Sequence, residues 1–240
     1  MTRHLPWLAA ALVGLAAAAA GPGRADGPTP GFTPLFNGKD FTGWTFFLQG
    51  GADPAKTFSI KDGVIQCTGR PLGYMLTEKE YGDYVLRVQW RFSPDKPGNS
   101  GVFVHVSGPD KIWPRAVEAQ LYAGRAGDIW LVDGFKMKIA QARDPNSERH
   151  YARIGDKFVK KDSKDKKGRD QYEIVGKTVE KPLGEWNQYE ITCQGNTIKL
   201  VVNGQLVNEG TDAEATKGKI LLQSEGAPIE FRNIEIKMLK

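Results

Sequence analysis

Three side chains suited to proton transfer or hydrogen bonding stand in strand-like sequence between residues 101 and 122. His105 lies between valines in "VFVHV", and Glu118 and Gln120 stand two positions apart in "VEAQL". Strand side chains alternate between faces, so Glu118 and Gln120 share a face, and His105 joins them if both apolar sets enter one core. Imidazole titrates near neutral pH and a carboxyl can partner it, which predicts acid–base chemistry. A solvated exterior is the alternative interpretation.

A second strand is expected to contribute cationic and amide groups to the same face. In "DYVLRVQWRF" the apolar residues fall on one face, and Arg87, Gln89 and Arg91 fall on the other. We expect these three to lie beside the first set, because planar side chains of this kind suit fixed hydrogen bonds to a hydroxyl-rich ligand. The structural alternative is a cross-strand ion pair between Arg91 and Glu118.

The elements that must position these residues are strands. Hydrophobic alternation recurs from residue 58 to the end of the chain, without long stretches of helical period. Asp62-Gly63 and Asn203-Gly204 predict tight hairpin turns, and the alternation breaks near Arg232-Asn233, where a bulge is expected. In "LFNGKDFTGW" we expect a structural turn at Asn37-Gly38. The pattern predicts an all-β antiparallel sandwich or barrel.

The first 25 residues are predicted to be an export signal rather than part of the fold. Arg3 precedes an apolar run over residues 5–20, and small residues follow in "GPGRADG". Loss of Arg3 and Arg24 lowers the formal net charge from +5 to +3. We therefore expect a periplasmic or extracellular protein with one domain over residues 26–240 and no membrane span in the mature chain. Oligomeric state is left open.

Charge and cysteine usage narrow the function classes further. The lysines of residues 156–181 alternate with acids and lack interleaved aromatics, which predicts a solvated loop or ribbon and no nucleic-acid partner. Cys67 and Cys193 are the chain's two cysteines, and both fall in strand-like runs. Buried free thiols are the favoured interpretation, with a disulfide as the alternative.

Common catalytic templates are missing from the sequence. No HExxH, Walker loop, GxGxxG or GxSxG occurs, and three histidines in all exclude a His-rich metal centre, although a mixed His/Glu/Asp site stays open. The run "VEAQLY" has the spacing of a two-carboxylate glycosidase strand, but only Glu118 is acidic. A conventional glycosidase is therefore the weakest of the enzymatic hypotheses.

Ordered motifs across nearly all of the mature chain resemble one known family. The segments "FTPLFNGKDFTGW", "GYMLTEKEYGDYVLRVQWRF", "GNSGVFVHV", "EWNQYEITCQGNTIKLVVNGQLVN" and "GKILLQSEGAPIEFRNIEI" are similar to the 3-keto-disaccharide hydrolase domain family. The resemblance implies a concanavalin-like jelly roll of two curved antiparallel sheets and export in bacteria. It also implies 3-keto-glycoside 1,2-lyase and 3-keto-2-hydroxyglucal hydratase chemistry.

That chemistry needs a base for the C2 proton, a donor or cation for the enolate oxygen at C3, and an acid for the leaving oxygen at C1. With the family admitted, we expect His105 to be the base or acid and Glu118 its partner. Arg91 would hold the enolate charge, with Arg87 as second choice.

The remaining site residues are expected to bind the sugar. Gln89 and Gln120 would fix hydroxyls, Gln223 and Glu225 would come from a neighbouring strand, and Trp130 would either stack on a sugar ring or belong to the core.

The cofactor and the class of activity are left open. A divalent metal is a possible cofactor, with His105, Glu118 and Asp128 as candidate ligands. A carbohydrate-binding module on the same fold is the main alternative to a lyase or hydrolase, because binding needs the amide, arginine and tryptophan positions but no group of matched pKa.

Overall fold

The structure is a computed structural model and describes residues 29–240. The predicted export signal lies outside the described residues. Within the described range the chain forms strands and two short 3-10 helices, Gln49–Gly51 and Pro54–Lys56. The strands are, in chain order, β1 (Thr33–Pro34), β2 (Trp44–Leu48), β3 (Phe58–Lys61), β4 (Val64–Cys67), β5 (Gly73–Thr77), β6 (Tyr84–Phe92), β7 (Gly101–Ser107), β8 (Arg115–Gln120), β9 (Ile129–Val132), β10 (Lys138–Ile139), β11 (His150–Tyr151), β12 (Lys157–Lys164), β13 (Asp170–Val175), β14 (Asn187–Gln194), β15 (Thr197–Val202), β16 (Gln205–Thr211), β17 (Lys219–Ser224) and β18 (Ile229–Met238).

These strands form two large sheets and one small ribbon. The nine-stranded sheet has the order β10-β16-β15-β14-β6-β18-β4-β3, with β1 added against β18. The seven-stranded sheet has the order β11-β9-β8-β7-β17-β5-β2, and β12 pairs with β13 alone. Every ladder between these strands is antiparallel. The prediction of an antiparallel β-sandwich is confirmed.

The core lies between the two large sheets because each contributes one apolar face. In β6 the alternate residues are fully or nearly fully buried and the intervening ones are half-buried, as the period-2 pattern predicts. Trp90 of this strand packs against Tyr189 of β14, with ring centroids 4.9 Å apart. From the other sheet, Val102, Val117 and Leu222 enter the same core. Among residues 29–240 no helix is long and apolar enough to cross a membrane.

A second apolar cluster covers part of the outer face of the seven-stranded sheet, which we call the cavity face. Its buried members come from five strands, β5, β7, β8, β9 and β17, and are Tyr74, Leu76, Phe103, Val106, Ala116, Val132 and Leu221. Phe47 and Trp130 pack against them. The outer face of an antiparallel sheet is usually solvated, but here an apolar cluster is buried on it. These apolar side chains exclude water from part of the face.

The turn and bulge predictions are confirmed by the backbone. Asp62 and Asn203 adopt positive φ angles of 53° and 49°, each followed by a positive-φ glycine, as a two-residue hairpin turn requires. The ladder between β18 and β6 shifts register between Arg232 and Glu235, and Asn233 has φ 49°. Phe36 and Trp44 are buried, and the Trp44 indole donates to the Leu35 carbonyl at 2.8 Å.

The cysteines and the lysine-rich segment follow their favoured interpretations. Cys67 and Cys193 are buried and free. The segment forms an exposed ribbon in which Phe158 of β12 lies opposite Ile174 of β13. Phe158 also contacts His150 edge-on, which anchors the ribbon at the β11 end of the cavity face.

Candidate active site

A cavity of about 470 Å³ opens on the cavity face. Strands β8 and β9 supply its floor, and the segments beside β7, β11 and β17 supply its walls. Its lining residues are Asn99, Trp113, Glu118, Gln120, Trp130, Val132, Asp133, Arg149 and Glu225. Four of these were predicted from sequence to belong to the site, namely Glu118, Gln120, Trp130 and Glu225.

Glu118 is the most deeply placed carboxyl of this cavity. It lies on β8 opposite Phe103 of β7, is 5% exposed, and its Oε1 atom has no hydrogen-bond partner. Gly101 makes room for it, because a Cβ atom there would stand 2.6 Å from Glu118 Oε1. Burial, reinforced by the charge of Glu225, raises the pKa of Glu118 well above its usual range, and the Arg149 cation opposes that rise. The environment therefore favours the protonated acid.

Glu225 is a second carboxyl, one residue beyond the end of β17. Its Oε2 accepts a hydrogen bond of 2.7 Å from the Asn99 amide. Burial raises the pKa of Glu225, while donor groups of Trp113 and Gln223 act in the opposite direction. Hydrogen bonds donated to a carboxylate stabilise its charged form, so Glu225 ionises more readily than Glu118, whose Oε1 atom receives none.

Two glutamine amides are oriented in opposite ways at the cavity. Gln120 Oε1 accepts from the backbone N–H groups of Leu121 and Tyr122 at 2.8 and 2.9 Å, which leaves its NH₂ group as the end available to a ligand. Gln223, on β17, turns donor hydrogens toward Glu225, and its Oε1 is buried without a hydrogen-bond partner. One amide thus offers hydrogens, and the other offers an acceptor.

Unpartnered acceptors gather in this region. The buried oxygens without a donor are Asn99 Oδ1, Glu118 Oε1 and Gln223 Oε1. A buried acceptor without a partner costs free energy, and folded proteins retain few of them. Asn99 and Glu118 line the cavity, and Gln223 Oε1 lies beside Glu118 Oε1 at Gly101, which indicates a site that receives O–H or N–H donors from a ligand.

Aromatic and cationic groups complete the cavity wall. Trp113 is 47% exposed, and Trp130 of β9 is half-buried. The Trp130 ring stacks on the His150 ring at 4.3 Å with an interplanar angle of 10°, and the Arg149 guanidinium lies 5.7 Å from the Trp130 ring centroid. Trp130 therefore packs on His150 and also lines the cavity, and its stacking on a sugar ring stays a prediction.

His150 is held between two carboxylates under that tryptophan. Its Nε2 lies 2.8 Å from Asp128 Oδ2 and its Nδ1 lies 3.3 Å from Asp144 Oδ2. Asp128 also accepts from Arg125, and it does not line the cavity. This network fixes the plane of the His150 ring on which Trp130 rests.

The proposed metal ligands are not brought together. Asp128 is engaged by Arg125 and His150, Glu118 lies in the cavity, and His105 lies elsewhere. Across residues 29–240 no group of three or more His, Cys, Asp or Glu side chains could hold a metal ion. The candidate set of His105, Glu118 and Asp128 is thus wrong as one coordination sphere.

The expected place of His105 beside Glu118 is also wrong. His105 adopts φ 55°, and the β7–β8 register shifts between Val104 and Ser107, so a bulge interrupts the alternation at this residue. Val106 consequently joins the cavity-face cluster, although unbroken alternation assigns it to the core with Val104. The His105 side chain is fully buried away from the cavity lining, with neither ring nitrogen hydrogen-bonded. Burial lowers the pKa of His105 to about 4, with the Asp83 charge opposing.

Arg87, Gln89 and Arg91 do not share a sheet with Glu118. Their strand, β6, lies in the middle of the nine-stranded sheet, so their face points to the opposite side of the sandwich. Arg91 pairs with Glu230 instead of Glu118. The error arises because alternation assigns a residue to a face of its own strand but does not say which sheet the strand enters.

Sequence reasoning missed four lining residues that arrive on loops, and one of them, Asp133, directly follows β9. Asn99 precedes β7 in "GNSGVF", Trp113 lies in "DKIWPR", and Arg149 precedes β11. None belongs to a periodic stretch. The available signal was weak, since a tryptophan in a polar loop needs a structural or functional reason to be there.

A two-sheet antiparallel sandwich with an acid-lined cavity on one outer face is the concanavalin-like jelly-roll architecture. The sequence matches the model of the 3-keto-alpha-glucoside-1,2-lyase-like domain over residues 31–237, and the chain belongs to this family. No curated protein matches it.

Solved structures with the same fold are distant in sequence. A protein of Parabacteroides distasonis assigned as a glycosyl hydrolase is 23% identical, with 88% of this chain and 94% of that chain covered and a TM-score of 0.59. A Bacillus licheniformis β-glucanase is 16% identical, covering 88% and 100%, with a TM-score of 0.51. A carbohydrate-binding module from Bacillus subtilis is 11% identical, covering 81% and 94%, with a TM-score of 0.50. These similarities show the fold.

Proposed function

We propose that the cavity is the active site of a carbohydrate-active enzyme that cleaves 3-keto-glycosides. The reaction consists of C2 deprotonation, elimination of the C1 aglycone and hydration of the resulting double bond. The observation that carries the proposal is a pair of carboxyls, Glu118 and Glu225, that share one cavity and differ in their hydrogen-bonding surroundings. Family membership supports the 3-keto substrate over an ordinary glycoside.

A sugar fits the remaining features of the cavity. Its hydroxyl hydrogens would satisfy acceptors such as Asn99 Oδ1 that the protein leaves without donors. Trp113 and Trp130 offer apolar ring faces, which suit the C–H face of a pyranose. Donors, acceptors and flat apolar surfaces in one cavity are the usual features of a small polar ligand site.

The two carboxyls take different roles because their surroundings separate their pKa values. Glu225 receives hydrogen bonds that favour the carboxylate, so it is assigned as the base that accepts the C2 proton. Glu118 is held toward the protonated form by burial, so it is assigned as the acid that protonates the leaving oxygen at C1. Pairs of carboxyls with pKa values pushed apart are a general basis for such assignments.

The charge that develops on the ketone oxygen needs a donor or a cation. The NH₂ end of Gln120 is the free end of that amide, and Arg149 supplies a guanidinium close enough to Glu118 to oppose the rise in the pKa of that carboxyl. These two groups take the role that the sequence assigned to Arg91. Preorganised donors at a developing oxyanion are among the largest contributions to catalysis.

We also propose that the protein acts after export, in the periplasm or outside the cell. The apolar run over residues 5–20 behind Arg3 supports this location.

The proposed function is tested with matched substrates and two glutamate variants. Purified protein is incubated with a 3-keto-glucoside and with the same unoxidised glucoside, and aglycone release is followed. We expect release from the 3-keto substrate only, and a loss of about 10²–10⁴-fold in Glu225→Gln. Glu190→Gln, on the far side of the sandwich, is the control and should retain wild-type rates. Failure of wild-type protein to cleave any 3-keto-glucoside while still binding sugars would identify a binding module instead.

A conventional glycoside hydrolase is the second candidate. The specific observation in its favour is the second carboxyl, because Glu225 comes from the β17 side and supplies the group that the β8 strand alone lacks. Cleavage of the unoxidised glucoside at a rate comparable with the 3-keto substrate would favour this candidate, since ordinary hydrolysis needs no acidified C2 proton.

A further inference from the structure

We infer that Gln223 and Glu118 together hold, beside Gly101, the water molecule that hydrates the eliminated sugar. The inference rests on the proposed function, because it assigns the second half of that reaction. It gives Gln223 a place in the chemistry, in contrast to the general hydroxyl-binding role that the sequence suggested.

The geometry places two unpartnered acceptors around one small space. A Cβ atom on Gly101 would lie 2.6 Å from Glu118 Oε1 and 3.1 Å from Gln223 Oε1, so these oxygens are no more than about 6 Å apart. One water molecule can donate a hydrogen to each of two acceptors about 4.4 Å apart, a separation within that limit, at the usual O···O distance of roughly 2.8 Å. The missing side chain at Gly101 keeps the space clear.

Gln223 is fixed in the orientation that this role needs. Ser100 Oγ donates to the Gln223 carbonyl at 2.7 Å and ties the β17 backbone to the start of β7. The Gln223 side chain is 2% exposed, and its amide donates toward Glu225. Rotating the amide would place its oxygen against the Glu225 carboxylate, so Oε1 stays directed toward the Glu118 side.

A water molecule satisfies both acceptors, whereas one sugar hydroxyl has a single hydrogen and satisfies one. With both hydrogens engaged, the lone pairs of the water oxygen are free to face the cavity. That is the orientation a nucleophile needs for attack on a sugar carbon above it.

The proton balance closes over the two steps. In the elimination Glu225 takes the C2 proton, the C1–O bond breaks, and the Glu118 proton passes to the leaving oxygen. In the hydration the water oxygen bonds to C1 while Glu118 takes a water proton, and Glu225 returns its proton to C2. Both carboxyls then regain their starting forms, and one water has been consumed.

The test separates elimination from hydration. The eliminated sugar contains a carbon–carbon double bond conjugated to the ketone and absorbs in the ultraviolet, so its build-up is measured beside aglycone release and keto-sugar formation. In Gln223→Met we expect hydration of the unsaturated sugar to slow at least tenfold more than aglycone release, which slows only through the lost hydrogen bond to Glu225. Gln89→Met, a glutamine on the opposite side of the sandwich, should leave the ratio of the two steps unchanged.

Gly101→Ala provides an independent check, because its methyl group would enter the same space without changing Gln223. It carries the same expectation if Gln223→Met does not fold. An unchanged ratio of hydration to elimination in either folded variant, or equal loss of both steps, would overturn the assignment. Absence of aglycone release from wild-type protein would instead defeat the proposed function, so the two failures are distinguishable.

Discussion

The two outer faces of this sandwich carry the same kinds of side chain and differ in whether those side chains are paired. On the nine-stranded sheet, Arg87 binds Glu190 at 2.9 Å, and Gln89 Oε1 accepts from Arg232 at 2.8 Å. On the cavity face, Glu118 and Gln223 each leave a buried oxygen without a donor. Glutamate, glutamine, arginine and tryptophan occur on both faces, so residue type alone does not distinguish a site from a cross-strand ladder.

The difference lies in what each face leaves unsatisfied. Partners in a ladder stabilise one another's charges and offer little to a ligand. Buried acceptors without donors raise the free energy of the unliganded fold, and a ligand with hydrogens to donate recovers that cost. Variants on the two faces test whether unsatisfied groups, rather than residue types, mark the functional face.

The largest expected effect is on turnover in Glu118→Gln. The variant keeps the shape of the side chain but has no acid proton, so we expect a loss of about 10²–10⁴-fold with a poor leaving group such as an alcohol. A nitrophenol aglycone needs little protonation, and with it the loss should fall below about tenfold. Glu230→Gln, the matched glutamate of the paired face, should stay within about twofold of wild type.

The acid role of Glu118 also predicts the pH profile of the wild-type enzyme. Because the folded pKa of Glu118 is raised, the acid form is lost only as pH rises through that value, and activity should fall on the alkaline side. Glu118→Gln should abolish this alkaline limb. An equal loss for both leaving groups, with the limb retained, would contradict the acid role.

The next effect is on stability and concerns His105, which lies on neither face. Its pKa of about 4 is below the ordinary value of 6.5, so the unfolded chain binds the proton more readily. The free energy of unfolding should therefore fall by about 3 kcal/mol as pH drops from roughly 6.5 to 4. Asn tolerates the positive φ of this position, and His105→Asn should flatten that dependence in urea unfolding.

Activity at neutral pH distinguishes this buried position from a catalytic one. We expect folded His105→Asn protein to retain turnover within about threefold of wild type. A loss as large as that of Glu118→Gln would return His105 to the site and break the comparison between the faces.

His105 also shows where sequence reasoning succeeds and where it stops. Alternation correctly placed Glu118 and Gln120 on one face of β8, and Gln223 on the outer face of β17, because those strands are regular. A one-residue bulge at His105 reversed the alternation of β7. No signal for this bulge is present in the sequence, because histidine seldom adopts a positive φ angle. Local pattern predicts local direction until such an interruption.

Sheet membership is a different kind of information. The alternation of β6 was correctly predicted, yet its polar residues face away from the cavity because β6 pairs with β14 and β18. Pairing between strands distant in sequence depends on the whole set of contacts and on connections that a single periodicity does not encode. Trp113 and Arg149 were missed for a related reason, since loops bring them to the cavity.

A smaller effect is expected from replacing Trp130, the tryptophan of β9 that lines the cavity. Trp130→Ala should raise KM for the 3-keto-glucoside about tenfold, corresponding to about 1.4 kcal/mol of lost binding, with a smaller change in kcat. Trp186→Ala is the matched control, because Trp186 lies against Arg91 and Arg232 on the paired face. Steady-state kinetics on both variants, with thermal unfolding to confirm the fold, decides the point. A KM change of similar size in the control would remove the distinction between the faces.

The smallest effect is expected from the paired face itself. Arg91 and Glu230 are partly exposed, and ion pairs of that kind contribute about 0.2–1 kcal/mol to stability. Arg91→Ala should therefore lower the free energy of unfolding by no more than roughly that amount and leave turnover within about twofold. A double-mutant cycle with Glu230→Ala measures the pair directly, and added salt should weaken it. Loss of turnover in folded Arg91→Ala protein would show that a side chain already paired on the nine-stranded sheet is functional. Buried groups without hydrogen-bond partners would then not be the property that marks the active face.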